Sequence, residues 1–502
     1  MKKSKNNSTG FARLNGAATA RAIKGLLSGL ILLAALITTS HAEETVLAQY
    51  VKAPDSAFEY QLVNTTYAPF YTTYIIDLTS QQWHSADVRP RKWKHWLVIV
   101  EPRLLGEYTE YLPFFSLVRT DQALLYIIRG DADHEDRPAA ASPQTVQLAL
   151  RTRSIVAELH GIPIGPVAFL DEQPDTNWWD DLNPFDNDDD KVLRIEDSLQ
   201  ARSFDLALST GDLTWALMAP MTKAVVRGMD VIQEFLQQRY LGRRVARGFV
   251  VTGHSKRGHV AWLAAALDER VTGVVPISYD LLNLEAQIAL QEASWPERSP
   301  EQDVNEEFDL YNRFKSTTGY ALIAAIDPYA YLDQLNIPAL VMVGSSDNYS
   351  CSDSANLYLN DLPGDAHVFY AANQGHAINE LPEVNNTLTA FYQHLIKNKP
   401  MPKFTWSGLA EGTFTVTPVI QKPVAVKLWT ATNPAARDFR EILEIPWSAT
   451  ALEENAQGAY TGVVEKPSAG GYTAFYVELT YQDGERGAPA YSLATPITVL
   501  GD

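Results

Sequence analysis

The chain has 502 residues, of which 46% are hydrophobic and 10% aromatic, and this length fits a large domain with a smaller one beside it. It carries 60 acidic against 41 basic side chains, a formal net charge of −19, which argues against nucleic acid and anionic membrane as partners. Its one cysteine, Cys351, excludes an internal disulfide, and we interpret this thiol as structural.

Residues 1–42 have the layout of a secretory signal peptide. A basic lead runs from Lys2 to Lys24, and the segment from Gly25 to Thr39 is almost wholly apolar. Ser40-His41-Ala42 then offers small residues where a signal peptidase cleaves, so we predict cleavage before Glu43 and a secreted or periplasmic protein. The alternative is an uncleaved anchor, for which the apolar stretch is short. No later run is long and apolar enough to span a bilayer, so we expect no stable membrane insertion after cleavage.

Apolar runs separated by helical stretches predict a mostly parallel, eight-stranded sheet with helices on both faces. The helical stretches include Thr145–His160 and Met221–Arg239. A nucleophile-bearing turn follows the fifth run, as in an α/β-hydrolase core. The eight predicted strands are Tyr71–Thr79, His95–Val100, Ala123–Ile128, Gly161–Leu170, Phe249–Thr252, Val271–Ile277, Ala339–Val343 and His367–Ala371.

Two long insertions and a C-terminal segment complete the predicted organisation. The α/β-hydrolase domain spans 43–402, with insertions at 171–247 and 281–332 that we expect over the carboxyl edge of the sheet. The first insertion contains the acidic run Asp186–Asp190, which lacks the glycine and distal glutamate of an EF-hand loop, so we predict a solvated loop and no metal. Short alternating runs predict a small C-terminal β-sandwich over 403–502.

Ser255 stands where an α/β-hydrolase carries its nucleophile. Gly253-His254-Ser255-Lys256-Arg257 follows a short apolar strand and precedes a helical stretch. The usual pattern is Gly-x-Ser-x-Gly, because small neighbours let strand and helix approach. Here Arg257 occupies the second glycine position and glycine arrives one residue later, at Gly258. The alternative is an ordinary strand-to-helix turn that contains a serine.

The acid and the base that a serine nucleophile needs are found further along the chain. In this fold the order is serine, acid, histidine. Asp347 follows the seventh predicted strand and His376 follows the eighth. We therefore predict the catalytic triad Ser255–Asp347–His376, which requires no cofactor. Asp280, just after the sixth strand, is the rival acid.

The oxyanion of acyl transfer requires hydrogen-bond donors. We expect one from the backbone N–H of Lys256 and another from the loop after the third strand, at Gly130 and Asp131. The side chains of Lys256 and Arg257 either add positive charge to the oxyanion site, bind an anionic substrate, or pair with nearby carboxylates. For Arg257 the structural role is favoured, because it lies on the buried side of the turn.

Several stretches resemble the PhoPQ-activated pathogenicity-related protein family, whose members are secreted bacterial proteins with an α/β-hydrolase-like core. The resemblance covers the chain from near Tyr60 to its end and implies that Ser-Lys-Arg-Gly is the family's form of the turn. It implies no reaction and no substrate. Two positions depart from the family: Gly130-Asp131-Ala132-Asp133 replaces two glycines and an asparagine, and Asn348-Tyr349-Ser350 replaces an aromatic pair. The matching stretches are Ser80-Gln81-Gln82-Trp83, Pro220-Met221-Thr222-Lys223-Ala224, Ser255-Lys256-Arg257-Gly258, Asp268-Glu269-Arg270-Val271, Asp280-Leu281-Leu282-Asn283, Ile326-Asp327-Pro328, Leu362-Pro363-Gly364 and Arg437-Asp438-Phe439-Arg440.

Two functions follow from the sequence. The first is a serine hydrolase that cleaves an ester or amide bond in a small molecule or a polymer. The alternative is a non-catalytic binding or virulence-associated protein that keeps the hydrolase fold, since fold does not guarantee function. The ordered triad favours the enzyme, and the departure at Gly130 favours the alternative. The sequence leaves the oligomeric state open.

Overall fold

The computed structural model describes residues 44–103, 121–130, 137–172, 192–240, 246–484 and 488–501. The predicted signal peptide, the acidic run Asp186–Asp190 and Asp131 lie outside these residues. Within the described ranges, no helix is long and apolar enough to cross a membrane.

A large sheet forms the centre of the molecule, in the order β1-β2-β4-β6-β5-β9-β10-β11-β12. The strands from β6 to β12 in this order pair in parallel, whereas β1, β2, β4 and β6 pair in antiparallel fashion. Continuous apolar runs such as β9 and β11 are buried along their length because helices cover both faces. The strands to this point are β1 (Glu59–Tyr67), β2 (Tyr71–Gln82), β3 (Val88–Arg89), β4 (Lys92–Pro102), β5 (Gln122–Ile127), β6 (Ile155–Leu159), β7 (Val167–Phe169), β8 (Leu193–Arg194), β9 (Gly248–His254), β10 (Val271–Ile277), β11 (Ala339–Gly344) and β12 (Ala366–Ala371).

The predicted fourth strand was wrong. The strand between β4 and β5 is β6, a segment that we had assigned to the end of a helix. The helix ends earlier, at Thr152, because Arg153 adopts a left-handed conformation (φ 53°). Of the predicted run Gly161–Leu170 only β7 is a strand, and it pairs with β3 and β8 in a separate small sheet. Prolines at 163 and 166 lack the N–H that a central strand needs.

Helices cover the two faces of the large sheet. α4 and α5 contribute to a hydrophobic core on one face, with Met221 and Trp262 fully buried. α2 and α9 contribute to a second core on the other face, through residues such as Leu148 and Leu388. α3 and α4 lie in the first predicted insertion, and α6 to α8 in the second. The helices are α1 (Val46–Lys52), α2 (Pro143–Thr152), α3 (Glu196–Thr210), α4 (Met218–Arg239), α5 (Lys256–Leu267), α6 (Leu284–Ser294), α7 (Leu310–Arg313), α8 (Thr317–Ile326) and α9 (Pro382–Ile396).

The C-terminal segment is β-structured, and part of it extends the large sheet. β19 pairs with β12 through Val368 and Ala494, and β18, β15 and β16 follow outward in that order. β13, β14 and β17 form a sheet of their own, and β20 pairs with β18. A domain boundary near residue 402 stays a prediction. These strands are β13 (Lys403–Ser407), β14 (Thr413–Ile420), β15 (Ala425–Asn433), β16 (Ser448–Ala451), β17 (Tyr460–Val463), β18 (Tyr472–Tyr481), β19 (Tyr491–Ala494) and β20 (Thr498–Gly501).

The strand order identifies the fold. Counted along the chain, β2, β4, β5, β6 and β9 to β12 occur in the spatial order first, second, fourth, third and then fifth to eighth. A sharp turn into a helix follows the fifth of these strands. This arrangement is the α/β-hydrolase fold, and it places the carboxyl ends of the parallel strands at one edge of the sheet.

Candidate active site

Ser255 occupies a strained turn between β9 and α5. Its backbone angles are φ 60° and ψ −129°, a conformation that costs free energy for a residue with a Cβ and recurs at functional sites. A Cβ on Gly253 would lie 2.6 Å from the Cβ of Arg257, and a Cβ on Gly258 would lie 3.0 Å from that of Tyr279. Gly258 therefore permits the close approach of strand and helix, although it stands one residue beyond the usual position.

Asp347 and His376 meet at the carboxyl edge of the sheet. Asp347 lies in the loop after β11, and His376 lies in the loop after β12. His376 Nδ1 is 3.0 Å from Asp347 Oδ1 and 2.9 Å from Oδ2. Asp347 is buried and also accepts a hydrogen bond from the backbone N–H of Tyr349, at 2.8 Å. These bonds hold a carboxylate against one ring nitrogen of the histidine.

The other ring nitrogen of His376, Nε2, is buried and has no hydrogen-bond partner among the described residues. The backbone carbonyl of His376 accepts hydrogen bonds from His254 Nε2 (2.8 Å) and from the Ser278 hydroxyl (2.7 Å). The Tyr349 ring lies 4.3 Å from the imidazole, centroid to centroid. Since Ser255 and His376 line the same two cavities, the structure brings the three predicted triad residues into one site.

His254 stays neutral beside His376. Burial, together with repulsion from His376, lowers the pKa of His254 to about 4. A neutral imidazole can donate one ring N–H to the His376 carbonyl without placing a second positive charge in the site. His254 supports the loop that carries His376, a contact that its position before Ser255 did not reveal.

Asp280, the rival acid, has a different partner. It is 2% exposed and accepts a hydrogen bond from the Tyr358 hydroxyl. Burial raises the pKa of Asp280 to about 7. The carboxylate bonded to His376 is that of Asp347.

Carboxylates of α3 bind both cationic side chains that follow Ser255. Lys256 Nζ lies 2.7 Å from Glu196 Oε2 and 2.6 Å from Asp197 Oδ1, while Arg257 pairs with Glu196. Burial opposes the charge of Glu196, but Lys256 and Arg257 outweigh it and lower the pKa of that carboxyl to about 2. Arg257 Nε also donates to the Ile162 carbonyl at 2.5 Å. Both cations are therefore compensated by the protein itself.

The predicted oxyanion donors lie in two segments, the start of α5 and the loop after β5. Lys256 is the first residue of α5, so its N–H is one of those that have no acceptor within the helix. Gly130 packs against the backbone of Gly161: a Cβ on Gly130 would lie 2.6 Å from Gly161 Cα. From the same loop, Ile128 and Arg129 line a cavity beside Ser255.

Two cavities meet at Ser255. The inner cavity, of about 140 Å³, lies under α3, α6 and the segment 301–314. The outer cavity, of about 560 Å³, lies between the loop after β5 and the start of α3. Both are lined by Asp197, Ser255, Lys256, Tyr349 and His376. The Tyr349 hydroxyl donates to Asp197 at 3.1 Å, so these residues form a bridge where the cavities adjoin.

No group of three or more His, Cys, Asp or Glu side chains within the described ranges is placed to hold a metal ion. Cys351 is buried, and burial together with Asp353 raises the pKa of its thiol to about 12. A thiol with such a pKa is a poor nucleophile.

Comparisons with known proteins give three kinds of match. The sequence model of the PhoPQ-activated pathogenicity-related protein family matches residues 47–440. Autocrine proliferation repressor protein A of Dictyostelium discoideum is 29% identical over 480 residues, which cover 91% of this chain and 90% of that protein.

Among solved structures, acetyl xylan esterase from Paenibacillus sp. R4 aligns with 70% of this chain and 91% of its own, at 14% identity and a TM-score of 0.42. Glucuronoyl esterase from Solibacter usitatus aligns with 69% of this chain and 89% of its own, at 14% identity and a TM-score of 0.37. Scores this low add nothing to the fold that the strand order defines.

Proposed function

The chain belongs to the PhoPQ-activated pathogenicity-related protein family, and from its site we propose that it is a serine hydrolase that cleaves an ester or amide bond. The observation that supports this most directly is the Asp347–His376 pair, with contacts of 2.9 and 3.0 Å, at the same cavities as the strained Ser255. A serine on such a turn and a histidine oriented by a carboxylate are the parts that acyl transfer needs.

Each group has a defined role in the proposed reaction. Ser255 Oγ attacks the carbonyl carbon while His376 Nε2 takes its proton. Asp347 holds the Nδ1–H tautomer and stabilises the imidazolium that forms. The N–H of Lys256 donates to the developing oxyanion. His376 then protonates the leaving alcohol or amine, and a water molecule activated by His376 releases the acid from Ser255.

Labelling with a fluorophosphonate probe tests this proposal. We expect the wild-type protein to be labelled and Ser255→Ala and His376→Ala to lose labelling. Ser468→Ala, a change at an exposed serine of the C-terminal segment, is the matched control and keeps it. Circular dichroism establishes that each variant is folded. A folded wild-type protein that reacts with no probe contradicts the hydrolase proposal.

The second candidate is a binding protein that does not require hydrolysis. The name of the 29% identical Dictyostelium protein describes autocrine repression of proliferation and no hydrolysis, and that protein aligns with this chain over 90% of its length. If this candidate is correct, the Ser255→Ala variant retains the full binding or growth-repressing activity of the wild-type protein. Labelling of the wild type combined with loss of that activity in Ser255→Ala rejects it.

We also propose that residues 1–42 direct export and are removed, on the strength of the basic and apolar segments of the sequence. N-terminal sequencing of protein from the periplasm or the medium should then begin at Glu43. A chain that retains its first residues in the membrane fraction contradicts cleavage.

A further inference from the structure

The inner cavity has an apolar body. Phe204, Leu281, Leu284, Ile288, Val304 and Phe314 line it. Such a wall binds an aliphatic chain by excluding water. The polar groups between these side chains therefore decide which chain end is accepted.

The amide groups of this wall direct their N–H donors toward the protein. Gln287 is 1% exposed, and its Nε2 donates to the carbonyls of Leu282 (3.0 Å) and Ser354 (3.2 Å). Gln291 and Gln302 both donate from Nε2 to the Tyr349 carbonyl. Gln287 Oε1 has no hydrogen-bond partner within the described ranges. This oxygen is buried and does not contact a ligand itself, but its uncompensated partial negative charge favours a positive group over a negative one nearby.

Glu301 adds a carboxylate to the same cavity. It accepts hydrogen bonds from Asn348 Nδ2, at 2.9 Å, and from the Ser299 hydroxyl. Among the residues described, no nitrogen of a basic side chain lies within 4.0 Å of a Glu301 carboxylate oxygen, the distance that defines an ion pair. Asn348 Oδ1 is buried and also has no partner in the described part of the chain. Glu301 therefore accepts two neutral hydrogen bonds, and no cation among the described residues compensates its charge.

The basic groups near this cavity already have partners. Lys256 is paired with Glu196 and Asp197. Arg298 stacks on the Tyr311 ring and pairs with Glu292. The charged residues that line the inner cavity in the described structure are Asp197, Lys256 and Glu301, which gives an excess of negative charge.

We propose that the inner cavity holds the acyl part of the substrate and selects an acyl chain that carries a positively charged amino group, bound near Glu301. This rests on the proposed hydrolase function. The acyl part remains attached to Ser255 while the leaving group departs. The inner cavity, which has the smaller volume, therefore suits the acyl part, and the larger outer cavity suits the leaving group and the incoming water. The reaction is ordinary hydrolysis: the acyl–oxygen bond breaks, and water supplies a hydroxyl to the acyl group and a proton to the alcohol.

Nitrophenyl esters in matched sets test the proposal. Within each set the acyl chains have equal length and end in an ammonium, a methyl or a carboxylate group, and the length is stepped between sets. Each rate is corrected for the spontaneous reaction measured without protein. Because a charge-assisted hydrogen bond is worth more than a neutral contact, we expect kcat/KM for the ammonium ester to exceed that for the methyl ester by about tenfold at the fitting length. The carboxylate ester should react more slowly than both.

The variant Glu301→Gln keeps the side-chain shape and removes the charge. The ratio of kcat/KM for the ammonium ester to kcat/KM for the methyl ester should fall about tenfold in this variant, because the preference comes from a charge-assisted contact with Glu301. Glu285→Gln, an exposed carboxylate on α6 outside the cavity, is the matched control and leaves the ratio unchanged.

Equal rates on ammonium and methyl esters at every length in the wild-type protein overturn the inference, even if Glu301→Gln does not fold. An unchanged ratio in folded Glu301→Gln overturns it too. Absence of both ester hydrolysis and fluorophosphonate labelling refutes the hydrolase function itself, which is a different result.

Discussion

Glu196 joins the first predicted insertion to the nucleophile turn, and replacing it with glutamine should destabilise the protein. The side chain of Glu196 is 20% exposed, and those of its partners Lys256 and Arg257 are 7% and 5% exposed. The pKa of Glu196 falls from 4.5 to about 2, and this difference corresponds to about 3 kcal/mol of stability above pH 5. Asp197 still compensates Lys256 in the variant, so we expect a loss of about 2–3 kcal/mol.

Urea unfolding at pH 7 measures this loss as a lower midpoint at unchanged slope. Glu285→Gln, which removes an exposed carboxylate, is the control and should shift the midpoint little. Because the folded pKa of Glu196 is depressed, its contribution is complete above the unfolded pKa of about 4.5 and disappears as the pH falls through 2. The difference in unfolding free energy between the wild type and the variant should therefore decrease below pH 4.5. A loss below 1 kcal/mol, or a gap independent of pH, refutes the reasoning.

Three further outcomes are expected. Gly258→Ala should cost about 1–3 kcal/mol of unfolding free energy and lower labelling, since its Cβ would meet Tyr279 at 3.0 Å, whereas Gly484→Ala, with nothing within 4 Å, should not. Asp347→Asn should slow labelling by about 10⁴-fold because the wrong tautomer of the base is favoured, while folded Asp280→Asn should still be labelled; the reverse result reassigns the acid. Burial lowers the pKa of His259 to about 4, so the unfolded chain binds its proton near pH 6.5 and the folded chain does not. Stability should thus fall between pH 7 and 4 in urea titrations, less steeply in His259→Gln, and an equal slope in the variant contradicts this cause.

Local patterns in the sequence suffice for seven of the eight predicted strands of the sheet and for the residue types of the site. Apolar runs such as Val271–Ile277 become buried parallel strands because hydrophobic burial decides their state wherever helices cover both faces. The serine after Gly253 and the residues after two later strands, Asp347 and His376, follow from the rule that loops at one sheet edge converge. The end of the helix at Arg153 and the prolines at 163 and 166 are weaker signals in the sequence than an apolar run. The fourth strand was misplaced for that reason.

Contacts between segments that are distant in sequence were decided only by the tertiary structure. Glu196 and Lys256 lie 60 positions apart, and no pattern in the sequence pairs them. Their contact decides between the roles left open for Lys256, because its charge is compensated by a carboxylate of the protein. The register of β19 against β12, which extends the sheet, depends likewise on packing at its edge. Most strands and the turn at Ser255 are set by neighbours along the chain, so the sequence determines them, whereas β6 was not recognised from its own residues. The charge of the inner cavity and the Gln287 Oε1 in its wall, unpaired among the described residues, depend on segments brought together by folding, and only the structure shows them.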